Sequence, residues 1–183
     1  MDNIYSFFDE GKTINAVLYI VGKLKRKDFH KIFKILYFAD REHLNEYGRT
    51  ITGDRYIAMN DGPVPSNLYD IFKSVRGDGY FKDDGKFKAF FSVVGDKQDM
   101  IEPNKSPDLK KLSRTDIEQI DKSLMMYGDL SWDEVREKSH DYAWRNTTLN
   151  CQINFDDIIR EAGGDESYIS YVKEQNILAN LCR

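Results

Sequence analysis

The order of apolar and polar residues predicts a mainly helical chain. Apolar residues recur at helical spacing between residues 12 and 25, and again between residues 28 and 48. The second segment is apolar over more than half of its circumference, with Phe33 and Leu36 in the middle of its stripe. We therefore expect this second helix to lie at the centre of the core.

Helical spacing returns further along the chain. Gly77, Gly128 and the Gly163-Gly164 pair are helix stops, and Ser131 with Glu134 has the spacing of a capping box. The predicted helices cover residues 66–77, 113–128, a short segment from residue 131, residues 155–162 and residues 166–180.

Two segments have strand character instead. Residues 54–59 form one short strand, and residues 80–103 contain two runs of β-forming residues separated by turn residues 95–97. A lone hairpin is marginal, so we expect the strand at 54–59 to join it. The predicted fold class is α+β: a mainly helical single domain, residues 1–183, with a small antiparallel three-stranded sheet.

Between the predicted strand and the next helix lies the run Gly62-Pro63-Val64-Pro65-Ser66. Each proline fixes φ and pushes the residue before it toward extended geometry. Ser66 can cap the helix that follows. The run predicts a rigid, extended loop that needs little further ordering when a partner binds.

Composition excludes several classes of protein. A chain of 183 residues with 40% hydrophobic residues fits one ordinary globular domain. It has no membrane-spanning stretch, and its acidic N-terminus differs from a signal peptide, so we expect a cytoplasmic protein. Cys151 and Cys182 lie far apart and lack metal-ligand spacing, which predicts two reduced thiols, no metal and no cofactor.

The charge distribution argues against nucleic acid. The net charge is −4, although Lys23, Lys25, Arg26, Lys27, Lys31 and Lys34 form a basic cluster. The cluster is a possible phosphate-binding patch, but a solvated helix end and helix face explain it as well. Without a basic excess across the domain, nucleic acid is not an expected partner.

Two pairs of side chains are candidates for chemistry. Asp40 and His43 are three residues apart on one predicted helix, either as a general base or as an internal hydrogen bond. His140 and Trp144 are four apart and meet on one face if the helix continues that far; they are either core or a partner pocket. An enzyme that brings Asp40, His43 and His140 together is one alternative, although no nucleophile accompanies them.

The rigid loop itself is a candidate binding surface. Tyr56 and Asp61 flank it, and a tyrosine can anchor an interface, while an aspartate here can also simply form a turn. Loops on a rigid scaffold often carry binding, so the two interpretations stay open.

These residues also carry a resemblance to a known family. They occur in LYFADREHLNEYG (Tyr37, Phe38, Asp40, His43, Leu44, Gly48), in DRYIAMNDGPVPS (Tyr56, Ala58, Gly62, Pro63, Val64, Pro65) and in SHDYAW (His140, Trp144). Over residues 15–147 the chain resembles the Panacea domain, also called the SocA-like antitoxin family, whose members are linked to bacterial toxin–antitoxin pairs and prophages.

The resemblance implies that the protein is an antitoxin and not an enzyme. Its partner would be a cognate protein toxin encoded by an adjacent gene, neutralised by direct binding or delivered to a cellular protease. The partner-binding residues expected on this basis are Asp40, His43, Tyr56, Asp61, Gly62, Pro63, Val64, Pro65, His140 and Trp144.

Overall fold

The computed structural model describes residues 7–181, apart from the side chains of residues 179 and 180. Within this range it contains eight α-helices: α1 (Glu10–Lys23), α2 (Phe29–Tyr47), α3 (Ser66–Arg76), α4 (Arg114–Tyr127), α5 (Trp132–Ser139), α6 (Tyr142–Arg145), α7 (Phe155–Glu161) and α8 (Glu166–Leu181). The four strands are β1 (Tyr56–Met59), β2 (Gly62–Pro65), β3 (Phe91–Val94) and β4 (Met100–Pro103). The thiol expected at Cys182 lies outside the described residues, and Cys151 is a free, exposed cysteine. No helix in the described part of the chain is long and apolar enough to cross a membrane.

Helix α2 lies at the centre of the molecule, as its pattern predicts. It packs against α1, α4, α5, α7 and β2. Phe33 and Leu36 belong to a core shared with α1, α3 and the β3–β4 hairpin, whereas Tyr37 and Leu44 belong to a second core shared with α5 to α8. The helix therefore joins the two apolar clusters of the domain.

The caps predicted for α2 and α5 are present. Asp28 accepts a hydrogen bond from the Lys31 amide at 2.9 Å, and Gly48 ends α2 in the left-handed conformation with φ of 69°. Ser131 and Glu134 form the capping box of α5. These contacts are local in sequence, which is why the pattern reveals them.

The sheet prediction was wrong in its strand count. The structure has two separate two-stranded antiparallel sheets, β1–β2 and β3–β4. The run Gly62–Pro65 is extended as expected, but it is strand β2 and pairs with β1, with Ile57 opposite Val64. The other edge of β1 is covered by residues 150–153, through bonds such as Ala58 N to Cys151 O at 3.0 Å. Because both edges of β1 are occupied, it cannot join the second hairpin.

The expected role of Ser66 also needs correction. Ser66 is the first residue of α3, and the N-cap position is Pro65, which has no side-chain capping bond. The buried Asp54 caps α3 instead of Ser66. Its carboxylate accepts hydrogen bonds from the amides of Asn67 and Leu68, each at 2.9 Å. A residue twelve positions upstream of the helix thus satisfies its free N–H groups.

Replacement of Leu36 by Ala tests the central position of α2. Leu36 is 0% exposed, so the variant should lose about 2–5 kcal/mol of unfolding free energy in urea denaturation. Leu109→Ala, at a side chain that is 50% exposed, is the matched control and should lose much less. Equal losses for the two variants would contradict the central placement of α2.

Candidate functional site

The turn between β1 and β2 is the best-defined surface feature near the predicted site residues. Asn60 and Asp61 form the turn, and Gly62 follows with φ of 98°, a conformation that favours glycine. A Cβ atom at Gly62 would collide with Ser139 of α5 and Lys34 of α2. We call residues 59–63 the hairpin tip.

Side chains from three helices hold the backbone of the hairpin tip. Each donates one hydrogen bond to a different carbonyl oxygen: Trp144 Nε1 to Met59 O (3.0 Å), Arg136 Nη2 to Asn60 O (3.3 Å), His30 Nε2 to Asp61 O (3.2 Å) and Lys34 Nζ to Pro63 O (2.9 Å). We call these four side chains the tip donors. These four bonds fix the backbone of the turn, and none of them has the side chain of Asn60 or Asp61 as its acceptor.

An aromatic and charged cluster borders the hairpin tip. The Trp132 ring stacks on His30 with 4.4 Å between centroids, and the Arg136 guanidinium lies 5.9 Å from the same indole. Arg136 also donates from Nε to Asp61 Oδ1 at 3.1 Å. Trp132 remains 38% exposed, so a large aromatic surface stays accessible beside the hairpin tip.

A groove of about 500 Å³ runs along this cluster. Its lining includes the apolar side chains of Phe33, Val64 and Tyr69 together with residues of the hairpin tip. Phe33 is stacked on the buried Phe72, with 5.6 Å between centroids, so this part of the lining is well packed. The groove therefore combines apolar and polar lining residues.

Lys34 is 0% exposed, and its ammonium group has one hydrogen-bond acceptor, Pro63 O. Burial lowers the pKa of Lys34 from 10.5 to about 7; the Asp61 carboxylate opposes this effect and Arg136 adds to it. Burial, together with the charge on Lys34, also lowers the pKa of His30 to about 4, so His30 is neutral at pH 7. The neutral ring donates from Nε2 to the Asp61 carbonyl.

Asp40 and Tyr56 are buried inside the fold and are not on this surface. Asp40 accepts bonds from Ile51 N (2.6 Å), Thr52 N (3.3 Å), Thr52 Oγ1 (2.8 Å) and Tyr56 Oη (2.7 Å). Burial raises the pKa of Asp40, while these donors oppose that rise. Asp40 and Tyr56 are each 1% exposed, so the expectation that they contact a partner conflicts with their positions.

His43 is also enclosed, and Asp40 is not its hydrogen-bond partner. Its Nδ1 lies 2.8 Å from Arg49 O, and its Nε2 lies 3.1 Å from Asp116 Oδ1. The interactions of His43 connect α2 to the start of α4 and to the segment after Gly48. The expected bond between Asp40 and His43 is therefore not formed, and other internal partners hold His43 away from the surface.

The rings of His140 and Trp144 meet, but not on one continuous helix. Helix α5 ends at Ser139 and α6 begins at Tyr142. The rings stack across this break with 3.7 Å between centroids and 3° between planes. Asp141 lies between these two residues in the sequence. Its carboxylate accepts a hydrogen bond from Tyr37 Oη at 2.8 Å, which connects the break between the helices to α2.

The three residues of the enzyme alternative do not share a cleft. His140 lines an open pocket of about 650 Å³ with Arg145 and Glu161, whereas Asp40 and His43 are enclosed under other segments. Residues 7–181 also contain no group of three His, Cys, Asp or Glu side chains that could hold a metal ion. The geometry thus gives the enzyme alternative no assembled site among the described residues.

The basic cluster is not a free cationic patch. Lys31 and Lys34 are both fully buried, contrary to the expected solvated helix face. Lys23 pairs with Asp121 at 2.7 Å and Lys25 with Asp129 at 3.0 Å, while Arg26 lies 2.6 Å from Asp28. Carboxylates and backbone carbonyls therefore take up most of the charge that would contact a phosphate.

Sequence reasoning missed four residues of the site: His30, Lys34, Trp132 and Arg136. A signal existed for Lys34, because a lysine inside a helix that is apolar on most of its circumference must be buried. Trp132 and Arg136 are four apart on α5, a spacing that places them on one face. Their distance in sequence from the turn gave no indication that they would meet it.

Replacement of Lys34 by Met should change how stability depends on pH. The unfolded chain keeps Lys34 protonated up to about pH 10.5, whereas the folded protein releases this proton above about pH 7. Because the unfolded state then binds more protons, the unfolding free energy of the wild type should rise from pH 7 to 10 relative to Lys34→Met. Urea denaturation across this range measures the difference. A difference independent of pH would contradict the buried position of Lys34.

Replacement of Asp40 by Ala should unfold the protein rather than selectively remove binding. It leaves four buried donors without this acceptor, and we expect a loss of at least about 3 kcal/mol in urea denaturation. Asp70→Ala is the control, because Asp70 forms a surface ion pair with Lys73 and should contribute less than about 1 kcal/mol. A stable Asp40→Ala protein that fails to bind its partner would restore the contact role.

Comparison with known proteins identifies the family. The family model "Antitoxin SocA-like, Panacea domain" matches residues 32–145, more than half of the chain. Comparison with curated proteins and with solved structures gives no significant match. The matched range includes the complete hairpin tip and three of its four donors, and the family supports a general antitoxin role. The chain belongs to the SocA-like antitoxin family with a Panacea domain.

Proposed function

We propose that this antitoxin neutralises a protein toxin by binding it directly, and that the contact surface consists of the hairpin tip with the adjoining Trp132 cluster and groove. The partner is the toxin encoded next to this chain's gene.

The observation that carries the proposal is the exposed Trp132 between His30 and Arg136. Tryptophan and arginine are enriched among the residues that dominate binding energy at protein interfaces. Here both side chains are already fixed, the indole by stacking at 4.4 Å and the guanidinium by its bond to Asp61. Side chains that are fixed before binding lose less entropy when a partner arrives, which favours tight association.

The groove supports the same surface. Its volume of about 500 Å³ and its apolar lining residues suit an apolar side chain of the partner. Asp61 and Val64 both line the groove, the first exposed and the second half-buried, so these two of the expected residues are positioned for contact. Gly62, Pro63 and Pro65 are buried and support the surface from beneath.

Co-expression with the product of the adjacent gene tests the proposal. The gene product alone should stop growth, and this chain should restore growth and co-purify with it. Toxin abundance, measured by immunoblot in the rescued cells, separates the two modes of action. Unchanged abundance supports direct neutralisation, whereas a fall in abundance that requires a cellular protease would indicate delivery for degradation. A non-toxic neighbour would remove the basis of the proposal.

Trp132→Ala should weaken toxin binding while leaving the fold intact. A loss of about 30-fold or more in affinity corresponds to the ~2 kcal/mol that defines a dominant interface residue. Titration calorimetry with the purified toxin measures the change.

The matched control is Tyr171→Ala, at an aromatic residue of α8 that is 55% exposed. Helix α8 packs at the far end of α2, where Asn176 donates to Gly48 O, about 27 Å along the helix from His30 at 1.5 Å per residue. Equal affinity of Trp132→Ala and wild type would move the toxin contact to another surface.

A further inference from the structure

At the hairpin tip, side chains of the helices hold the backbone of the turn, whereas the side chains of the turn itself are exposed. The tip donors bond to backbone carbonyls, which every residue type supplies. The side chains of Asn60 and Asp61 are exposed. In the described part of the chain, Asp61 bonds to Arg136 through Oδ1, and the Asn60 amide has no hydrogen-bond partner.

This arrangement keeps the shape of the turn independent of which side chains it presents. Gly62 is the exception, because its φ of 98° and its contact with Lys34 and Ser139 leave no room for a Cβ atom. Asn60 and Asp61 both have negative φ, so other residues can occupy these positions without backbone strain. An exposed pair of side chains on a fixed backbone is suited to recognising the surface of a partner.

We propose that Asn60 and Asp61 are the residues that recognise the toxin, and that they bind a cationic or hydrogen-bond-donating side chain on its surface. This inference rests on the proposed function, and it assigns the chemistry of the toxin group that meets the hairpin tip.

The free acceptors of the turn define that chemistry. A carboxylate offers about four acceptor positions, of which Arg136 uses one on Asp61. The Asp61 side chain is 56% exposed, so its remaining positions are open to an arginine or lysine of the toxin. On the neighbouring helix α5, three acidic residues outnumber the two basic residues, Arg136 and Lys138, so the helix adds one net negative charge. The toxin surface that fits here carries positive charge.

Asp61→Asn and Asn60→Lys test the inference. Asp61→Asn keeps an oxygen for Arg136 but removes the charge, and Asn60→Lys places a positive charge against the cationic toxin group. We expect affinity for the toxin to fall about tenfold and 100-fold respectively, mainly through loss of charge complementarity. The thermal midpoints of both variants should stay at the wild-type value, because the tip donors still hold the backbone.

Asp165→Asn is the matched control for the charge change. Asp165 is an exposed aspartate directly before α8, the helix that packs at the far end of α2, and its substitution should leave affinity unchanged. Salt provides a second readout: the affinity of the wild type should fall with ionic strength more steeply than that of Asp61→Asn.

Trp144→Phe distinguishes recognition from support. It keeps an aromatic ring to stack on His140 but removes the donor to Met59 O. We expect faster amide exchange at the hairpin tip together with weaker binding, whereas Asp61→Asn should weaken binding without faster exchange.

The outcomes separate this inference from the proposed function. If the wild type binds and neutralises the toxin but Asp61→Asn and Asn60→Lys bind it as tightly, the recognition role is wrong and the proposed function stands. If the wild type itself does not bind the toxin, the proposed function fails first. Weaker binding accompanied by faster exchange in Asp61→Asn would show that Asp61 acts as support, and would also overturn the inference.

Discussion

The charged side chains buried with helix α2 need buried partners, and this requirement determines how the rest of the chain is arranged around the helix. Burial of an unpaired charge costs far more than a single hydrogen bond returns. Lys31 donates to Tyr127 O and Leu130 O, and these bonds hold the end of α4 and the segment between α4 and α5 against α2. Lys34 holds the hairpin tip through Pro63 O, and Asp40 holds residues 51–56 through four donors. Three charges along one helix thus fix three peripheral segments.

This arrangement divides the residues that sequence reasoning grouped into one site. Asp40 and His43 lie in the C-terminal half of α2, and Tyr56 of β1 bonds to Asp40; these three residues hold the chain internally. The hairpin tip lies at the N-terminal half of α2, where His30 and Lys34 meet α5 and α6. The two groups are close in sequence because Tyr56 begins β1, which leads directly into the hairpin tip. They nevertheless have different roles. One provides the stability of the fold, and the other provides the exposed surface on which the proposed function depends.

Local features of the fold could be predicted from sequence, whereas pairings between distant segments could not. The α2 stripe, the Asp28 cap and the Ser131–Glu134 capping box each lie within one helix or one turn of it, so their spacing reveals them. The partner of β1 was misassigned because strand character does not identify which segment pairs with it. The contacts of the tip donors were missed for the same reason. Trp144 was expected in the site only through its pairing with His140, and Arg136 was not expected there, because both lie more than seventy residues after the turn that they hold.

The geometry of the β1–β2 hairpin limits how a partner can engage it. A common mode of recognition adds a strand of the partner to an open sheet edge. Both edges of β1 are occupied, by β2 and by residues 150–153. On β2, Pro63 and Pro65 have no N–H group, and Lys34 already occupies the Pro63 carbonyl. Because the outer edge of β2 offers so few free groups, strand addition is unfavourable here. Recognition at this hairpin must therefore rely on side chains, which is the role that the fixed backbone and the exposed Asn60 and Asp61 are suited to fill.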